Sequence, residues 1–194
     1  TAASYVPKGR PRGDFVEPRS FLRALSARME PNAILCADVG QNQIWAANHF
    51  NGKEGRFLTT GGLGTMGYAL PAAVGAKLAK PNRQVVCVCG DGAFQMSECE
   101  LGTLVQTGAD VKIVLMRNDR LGMVWEIQTK QYGGRHAATG LAGGPDFVKL
   151  AGAYGIPAEE AGSNAEAEAA AERMLAHRGP YLLVCRVDPD EPTL

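Results

Sequence analysis

Residues 84–92 read Gln-Val-Val-Cys-Val-Cys-Gly-Asp-Gly, and this stretch decides the fold. Consecutive apolar, partly β-branched residues with no polar alternation fit a strand buried on both faces. The strand runs straight into an acid between two glycines, and SECELGTLVQTG (97–108) then carries apolar residues at helical spacing. The same unit recurs on either side. Downstream, the apolar strand VKIVLMRN (111–118) precedes the helical patterns LGMVWEIQTKQY (121–132) and PDFVKLAGAYG (145–155). Upstream, AILCADVG (33–40) is a β-rich run followed by the helical NQIWAANHF (42–50) and the brief strand RFLTT (56–60). The Ala-rich helix MGYALPAAVGAKLA (66–79) has Pro71 near its start, where a missing N–H costs least. PRSFLRALSARM (18–29) opens the pattern with a helix; NAEAEAAAERMLAHRG (164–179), a surface helix with a solvated acidic face, and the strand PYLLVCRVD (180–188) close it. Doubly buried strands alternating with helices predict an α/β fold, a three-layer sandwich around a mainly parallel central sheet.

Composition limits what such a fold does. Twenty Lys plus Arg balance twenty Asp plus Glu, which argues against a general binder of nucleic acid or anionic membrane. The longest apolar runs fall far short of the roughly 18 residues that cross a bilayer. Cys36, Cys87 and Cys185 sit in strand-like runs, so reduced, buried thiols in a cytoplasmic protein are expected rather than a disulfide scaffold. No Cys/His spacing suits zinc, and His49, His136 and His177 are scattered and read as structural. Residues 1–17, rich in Pro, Gly and basic side chains, read as a linker or arm, 18–190 as the folded domain and 191–194 as a tail. The opening Thr-Ala-Ala-Ser, with no initiating Met and no signal peptide, reads as part of something longer.

Ligands of a doubly wound sheet bind beyond the carboxyl ends of its strands, so the strand-to-helix turns hold the candidate chemistry. The Gly90-Asp91-Gly92 turn places a carboxylate where glycines let an anion approach backbone N–H groups. A carboxylate repels phosphate unless a divalent cation lies between them, which favours Mg²⁺. Asn118 ends the next strand, 27 residues after Asp91, and offers a second hard oxygen. The plainer alternative is a turn and a helix cap. Gly62 to Gly67 matches G-x-G-x-x-G, but the preceding strand is brief and no acid follows at ribose-binding distance. Met66 in this turn is either a wedge beneath a cofactor or core filler. The third turn, Asp38 to Gln43, carries amides that donate to a phosphate or cap a helix.

These residues resemble the thiamine-diphosphate fingerprint: Gly-Asp-Gly, then, one helix and one strand later, Asn-Asn. Three longer stretches, GGLGTMGYALPAAVGAKLA (61–79), GDGAFQMSECELGTLVQ (90–106) and VKIVLMRNDRLGMVWEIQ (111–128), are similar to the C-terminal, diphosphate-binding module of acetolactate (acetohydroxyacid) synthase large subunits. The resemblance runs from about Pro18 to Asp190 and implies the thiamine-diphosphate-binding fold. It implies Mg²⁺ held by Asp91, the Asn118 side chain and the Arg120 carbonyl. It implies diphosphate contacts from Gly40, Gln41, Asn42, Gly90, Gly92 and Ala93, helped by backbone near Gly122 and Met123. The Gly64 carbonyl and Met66 N–H would face the aminopyrimidine, and the Met66 side chain would hold the cofactor bent, its catalytic role.

The implied reaction is decarboxylation of a 2-oxo acid such as pyruvate and carboligation to a second 2-oxo acid. The chain departs from the family at Arg117, which replaces the first Asn of the pair, and at Asn42, where the family has His. At Ile127 biosynthetic members carry Trp, so acceptor preference is open, and another thiamine-diphosphate-dependent decarboxylase or carboligase is the alternative. The resemblance implies an activating glutamate on the N-terminal module of a partner subunit and a middle module with which FAD is associated in the family, both expected outside this sequence. Glu98 and Glu100 read as solvent or interface groups. A homodimer or homotetramer is therefore expected, with no nucleic acid and no membrane. A free-standing subunit of a split enzyme, as in sulfopyruvate decarboxylases, is a further alternative. A nucleotide-binding oxidoreductase domain resting on Gly62 to Gly67 and a non-catalytic interaction module are the remaining ones. Gln131 to Gly144 reads as a Gly-rich loop at the substrate entrance or a structural linker.

Overall fold

The fold is taken from a computed structural model, which describes residues 15–52 and 54–194. The proposed arm lies outside the described residues except for its last three. Those three belong to the domain: Val16 is buried in the core and its N–H donates to the Arg186 carbonyl at 2.7 Å. Glu17 caps α1 (Pro18–Arg28) by accepting from the N–H groups of Arg19 and Ser20, with Pro18 at the first helical position.

Four apolar runs form the inner strands: β1 (Ile34–Ala37), β3 (Val85–Gly90), β4 (Val111–Arg117) and β6 (Tyr181–Arg186). Two shorter strands, β2 (Arg56–Leu58) and β5 (Ala158–Ala161), flank them. All pairings are parallel, in the order β2-β1-β3-β4-β6-β5. Alternate residues of each inner strand face opposite layers. Leu35, Val86, Val114 and Leu183 pack under α1, α2 (Gln41–His49) and α8 (Asn164–Ala176). Cys36, Cys87, Ile113 and Val184 pack under α3 (Ala69–Ala79), α5 (Glu100–Thr107) and α7 (Phe147–Ala153). The three-layer parallel sandwich expected from the sequence is what forms.

Three details differ from the sequence reading. β5 reads Ala-Glu-Glu-Ala and has no apolar run, because as an edge strand its outward groups meet charge: Glu159 binds Arg173 and Tyr181, while Glu160 binds Arg117. α3 begins at Ala69, so Met66 and Gly67 stay in the preceding turn. A short helix, α4 (Asp91–Gln95), starts on the acid of Gly-Asp-Gly itself. The acidic face of α8 is also more than a solvated one, since Arg28 of α1 bridges Glu168 at 2.9 Å and Glu172 at 3.1 Å. Cys36, Cys87, Cys89 and Cys185 are buried free thiols and Cys99 is exposed. No described helix is long and apolar enough to cross a membrane.

Candidate active site

The chain leaves β1 toward the β2 edge and returns to place β3 on the other side of β1. The carboxyl ends of β1 and β3 therefore flank a topological switch point, the place where open α/β sheets bind ligands. A cavity open to solvent, with about 80 Å³ of space accessible to water, lies there. Its walls include Gly40, Gln41 and Asn42; Met66; Gly90, Asp91, Gly92 and Ala93; and Asn118, Arg120, Gly122 and Met123. The turns after β1, β3 and β4 each start a helix, α2, α4 and α6 (Gly122–Gln131), so three helix N-termini converge. The first N–H groups of a helix have no partner within it and attract anions. Gly64, also expected here, does not line the cavity; it lies in the exposed Gly61–Thr65 turn with φ +65°.

Asp91 sits at the centre and is 2% exposed. Its Oδ1 accepts from the Gly92 N–H at 2.9 Å and its Oδ2 from the Asp119 N–H at 2.7 Å. No cationic side chain pairs with it among the described residues. Burial pushes the carboxyl up to about 6, partly offset by those N–H bonds. A buried carboxylate with no counter-cation, inside a ring of anion-attracting N–H groups, is an arrangement that a divalent cation plus a phosphate would neutralise. No group of three or more His, Cys, Asp or Glu converges among the described residues. The donor set thus suits Mg²⁺, which takes few protein oxygens and completes its shell with phosphate and water.

The amides of the site are partly committed. Asn42 Nδ2 donates inward to the Asp38 carbonyl at 2.8 Å, so its side chain braces β1 and only its backbone N–H is left to the cavity. Gly40 before it has φ +142°, and a Cβ there would lie 2.6 Å from Asn42 Oδ1. Gln41 Oε1 accepts from Asn118 Nδ2 at 3.3 Å, while its Nε2 donates to the Glu191 carbonyl at 2.8 Å. Asn118 Oδ1 accepts the Arg120 N–H at 3.2 Å, which turns that oxygen toward the loop that starts α6.

A model of the family described as "Thiamine pyrophosphate enzyme, C-terminal TPP binding domain" matches residues 38–185, most of the chain. The chain belongs to that family. Thiamine pyrophosphate is thiamine diphosphate, and the resemblance read from the sequence is borne out. Similar proteins include the acetolactate synthase isozyme 2 large subunit of Escherichia coli (strain K12), 44% identical over 91% of this chain and 32% of that protein. A probable acetolactate synthase large subunit of Methanococcus aeolicus is 41% identical over 90% of this chain and 30% of its own length. An acetolactate synthase of Arthrospira platensis is 44% identical over 83% of this chain and 28% of its own length. The chain thus spans about a third of the length of these curated relatives.

Within this thiamine pyrophosphate enzyme module, several site groups carry no signal in the sequence. The Asp119 N–H reaches Asp91 from a turn in which Asp119 takes a left-handed φ of +53°. Its side chain is held by Arg117 Nε at 2.9 Å, so the departure at Arg117 points away from the carboxylate and steadies the turn instead. Leu121 and Leu141 press on Gly92: a Cβ there would come within 2.5 Å of Leu121 Cδ2 and 3.2 Å of Leu141 Cδ1, with Met66 Cε at 3.6 Å. Leu141 belongs to the segment from Gln131 to Gly144 that reads as an entrance loop or linker. That loop is anchored by backbone pairing, Leu121 N–H to Thr139 and Leu141 N–H to Asp119, each at 2.8 Å. The C-terminal residues also join the site, since the Pro192 carbonyl accepts from Trp45 Nε1 at 3.3 Å and Thr193 N–H donates to Glu126 at 3.1 Å.

Other singled-out residues sit outside the cavity. Trp125 is packed between the Arg120 guanidinium, 3.9 Å from the ring centre, and the His136 ring, stacked at 3.3 Å. Glu100 accepts from Thr103 Oγ1 at 2.6 Å. Glu98 is half-buried, and its Oε2 has no hydrogen-bond partner among the described residues.

Proposed function

We propose that this chain forms the diphosphate- and Mg²⁺-binding part of a thiamine-diphosphate-dependent enzyme that decarboxylates a 2-oxo acid, pyruvate foremost, and ligates the product to a second 2-oxo acid. The observation that carries the reading is the buried, cation-free Asp91 carboxylate among three helix N-termini. Asp91, the Asn118 side-chain oxygen and the Arg120 carbonyl would hold Mg²⁺. The backbone N–H groups at Gln41, Asn42, Ala93, Gly122 and Met123 would meet the diphosphate, and Gly92, whose own N–H donates to Asp91, would let it approach the backbone closely. Gly64 would contribute from outside the cavity wall, and Met66 would support the cofactor from the side facing Gly92. When bound, thiamine diphosphate supplies the carbon nucleophile and electron sink that loss of CO₂ from a 2-oxo acid requires.

The residues here then act by binding and orienting. Leu121 and Met66 line the cavity beside Gly92, with Leu141 also against Gly92, and this apolar side would limit water around a bound cofactor. Asp91 ties the diphosphate end in place, so orientation of the reacting groups is settled before substrate arrives. The remaining lengths of the relatives make an N-terminal module with the activating glutamate, a middle module with FAD and a second catalytic subunit part of the proposal. The whole is a homodimer or homotetramer in the cytoplasm, in keeping with the free thiols.

One observation favours a second reading. Ile127 is 40% exposed beside the cavity-lining Val124, and Trp125, packed between Arg120 and His136, does not replace the Trp of biosynthetic relatives. A carboligase or decarboxylase of the same family with a different acceptor fits that wall.

The test is calorimetric titration of thiamine diphosphate, with and without Mg²⁺, into the chain and into the full-length protein that carries it. Saturable binding that needs Mg²⁺ and vanishes in Asp91→Ala is expected. Mg²⁺-independent binding, or none in the full-length protein, would overturn the assignment.

A further inference from the structure

Asp38 follows β1 directly and is 1% exposed, yet it does not line the cavity. Its carboxylate reaches across to the turn that carries Met66. Oδ1 accepts the Gly67 N–H at 3.0 Å and Oδ2 accepts the Ala69 N–H at 2.7 Å, while Oδ1 also takes the Val39 N–H at 2.9 Å. The Ala69 N–H is one of the donors that the first turn of α3 leaves without a partner inside the helix, and Tyr68 at its N-cap makes no side-chain cap bond. Asp38 caps that helix from 31 residues away in sequence. Burial pushes its carboxyl upward, and the N–H bonds from Ala69, Val39 and Gly67 hold it back.

The turn is otherwise lightly held. Residues 61–65 are exposed, and their own bonds, Gly64 N–H to the Thr60 carbonyl and Thr60 Oγ1 to the Thr65 carbonyl, are internal to the turn. Gly67 has φ +84°, and a Cβ on it would lie 3.1 Å from Met96 Cβ, so the backbone beside Met66 is gripped between Met96 and Asp38. We propose that Asp38 is a positioning residue that fixes the Gly67–Ala69 backbone to the end of β1 and so sets where Met66 stands against Gly92. This rests on the reading of the cavity as a thiamine diphosphate site, in which Met66 supports the cofactor. Asp38 acts through that turn and touches neither substrate nor cofactor.

The test uses the full-length enzyme that carries this chain. Asp38→Asn is nearly isosteric, but it replaces one acceptor with an NH₂ group that opposes a backbone N–H. Without cofactor, hydrogen exchange at Gly67 and Ala69 is expected to quicken about tenfold or more relative to the β3 amides, the scale of one lost charge-assisted hydrogen bond. With cofactor, kcat falls while the Mg²⁺-dependent Kd for thiamine diphosphate changes little, because Asp91 and the diphosphate N–H groups are untouched. Asp38→Asn added to Met66→Ala is expected to lower kcat no further than Met66→Ala alone. Unchanged exchange at the two amides, or effects on kcat that multiply, would overturn the proposal. Where Asp38→Asn fails to fold, Asp38→Glu keeps the charge, moves the oxygens by one methylene and is read by the same exchange. A wild-type enzyme that binds no thiamine diphosphate would sink the functional reading, while exchange, read without cofactor, still decides whether Asp38 holds the turn.

Discussion

The backbone N–H of Asp119 donates to Oδ2 of Asp91 at 2.7 Å, so the turn after β4 is tied directly to the buried acid after β3. The two turns that would bracket a metal ion are thereby built as one unit before any ligand enters. Asp91→Asn is nearly isosteric, removes the charge and turns one acceptor into an NH₂ group that faces a backbone N–H. It is expected to weaken Mg²⁺-dependent thiamine diphosphate binding by at least about 100-fold, the scale of a lost metal ligand, and calorimetry on the purified variant measures it. The circular dichroism spectrum should stay that of the wild type.

The same acid sets a pH dependence. Burial raises the Asp91 carboxyl to about 6, and Mg²⁺ needs it ionised. Binding is therefore expected to be flat above pH 7 and to weaken about tenfold per pH unit below 6, since proton and metal compete for one site. Stability of the ligand-free chain runs the other way. A carboxyl whose folded value lies above its unfolded value binds a proton more tightly in the fold, so stability falls as pH rises from the ordinary carboxylate range to about 6. Chemical denaturation of wild type and Asp91→Asn at pH 4.5, inside that window, and at pH 7, above it, measures this; the variant should lose the share of the dependence that Asp91 contributes.

What could be read from the sequence follows from which contacts are local. β3 and β4 announce themselves because each strand meets a core on both faces, with Val86, Val88 and Val114 on one side of the sheet and Cys87, Ile113 and Leu115 on the other. Gly-Asp-Gly, Asn118 and Met66 are visible because strand ends deliver them to one sheet edge. β5 is not, since Glu159 and Glu160 are satisfied by Arg173 and Arg117, partners that only the fold brings near. The Asp119 N–H, Leu141 and the Glu191 carbonyl are likewise long-range contributions, and a backbone group leaves no mark on residue type. Asn42 shows the converse: its residue type suggests a phosphate donor, and only the fold shows that its Nδ2 donates to the Asp38 carbonyl.

Gly122 tests the floor of the cavity. A Cβ there would lie 1.9 Å from Gln41 Oε1 and 2.8 Å from Asn118 Nδ2, so both amides must move. Its φ lies outside the left-handed region, and Ala is the better helix former. Gly122→Ala should therefore leave Tm unchanged or slightly higher while weakening thiamine diphosphate binding by about tenfold. A matched fall in both would place the effect in the fold instead of the site.

Thiol reactivity checks the layering of the sheet. Burial pushes the Cys36 thiol to about 12 and the Cys185 thiol higher still, whereas Cys99 is exposed at the start of α5. A disulfide reagent should titrate one thiol quickly in the native chain and five after denaturation. Cys99→Ser should remove the fast phase alone.

Lys112 separates stability from function. It enters β4 at the end opposite the cavity, 3% exposed, and its Nζ donates to Asp110 Oδ1 at 2.5 Å and to the His177 and Gly179 carbonyls at 2.7 and 2.6 Å. Those carbonyls close the turn between α8 and β6, so one ammonium joins the amino ends of two inner strands. Lys112→Ala leaves both carbonyls short of a donor at a part-buried place. A loss of about 2–4 kcal/mol is expected from urea denaturation, the usual cost of breaking a buried charged network. Because β4 delivers Asn118 from its other end, the Kd for thiamine diphosphate under folded conditions should stay within about twofold, as separate sites behave additively. A larger change in affinity would mean that strain at the amino end of β4 is passed along the strand to Asn118.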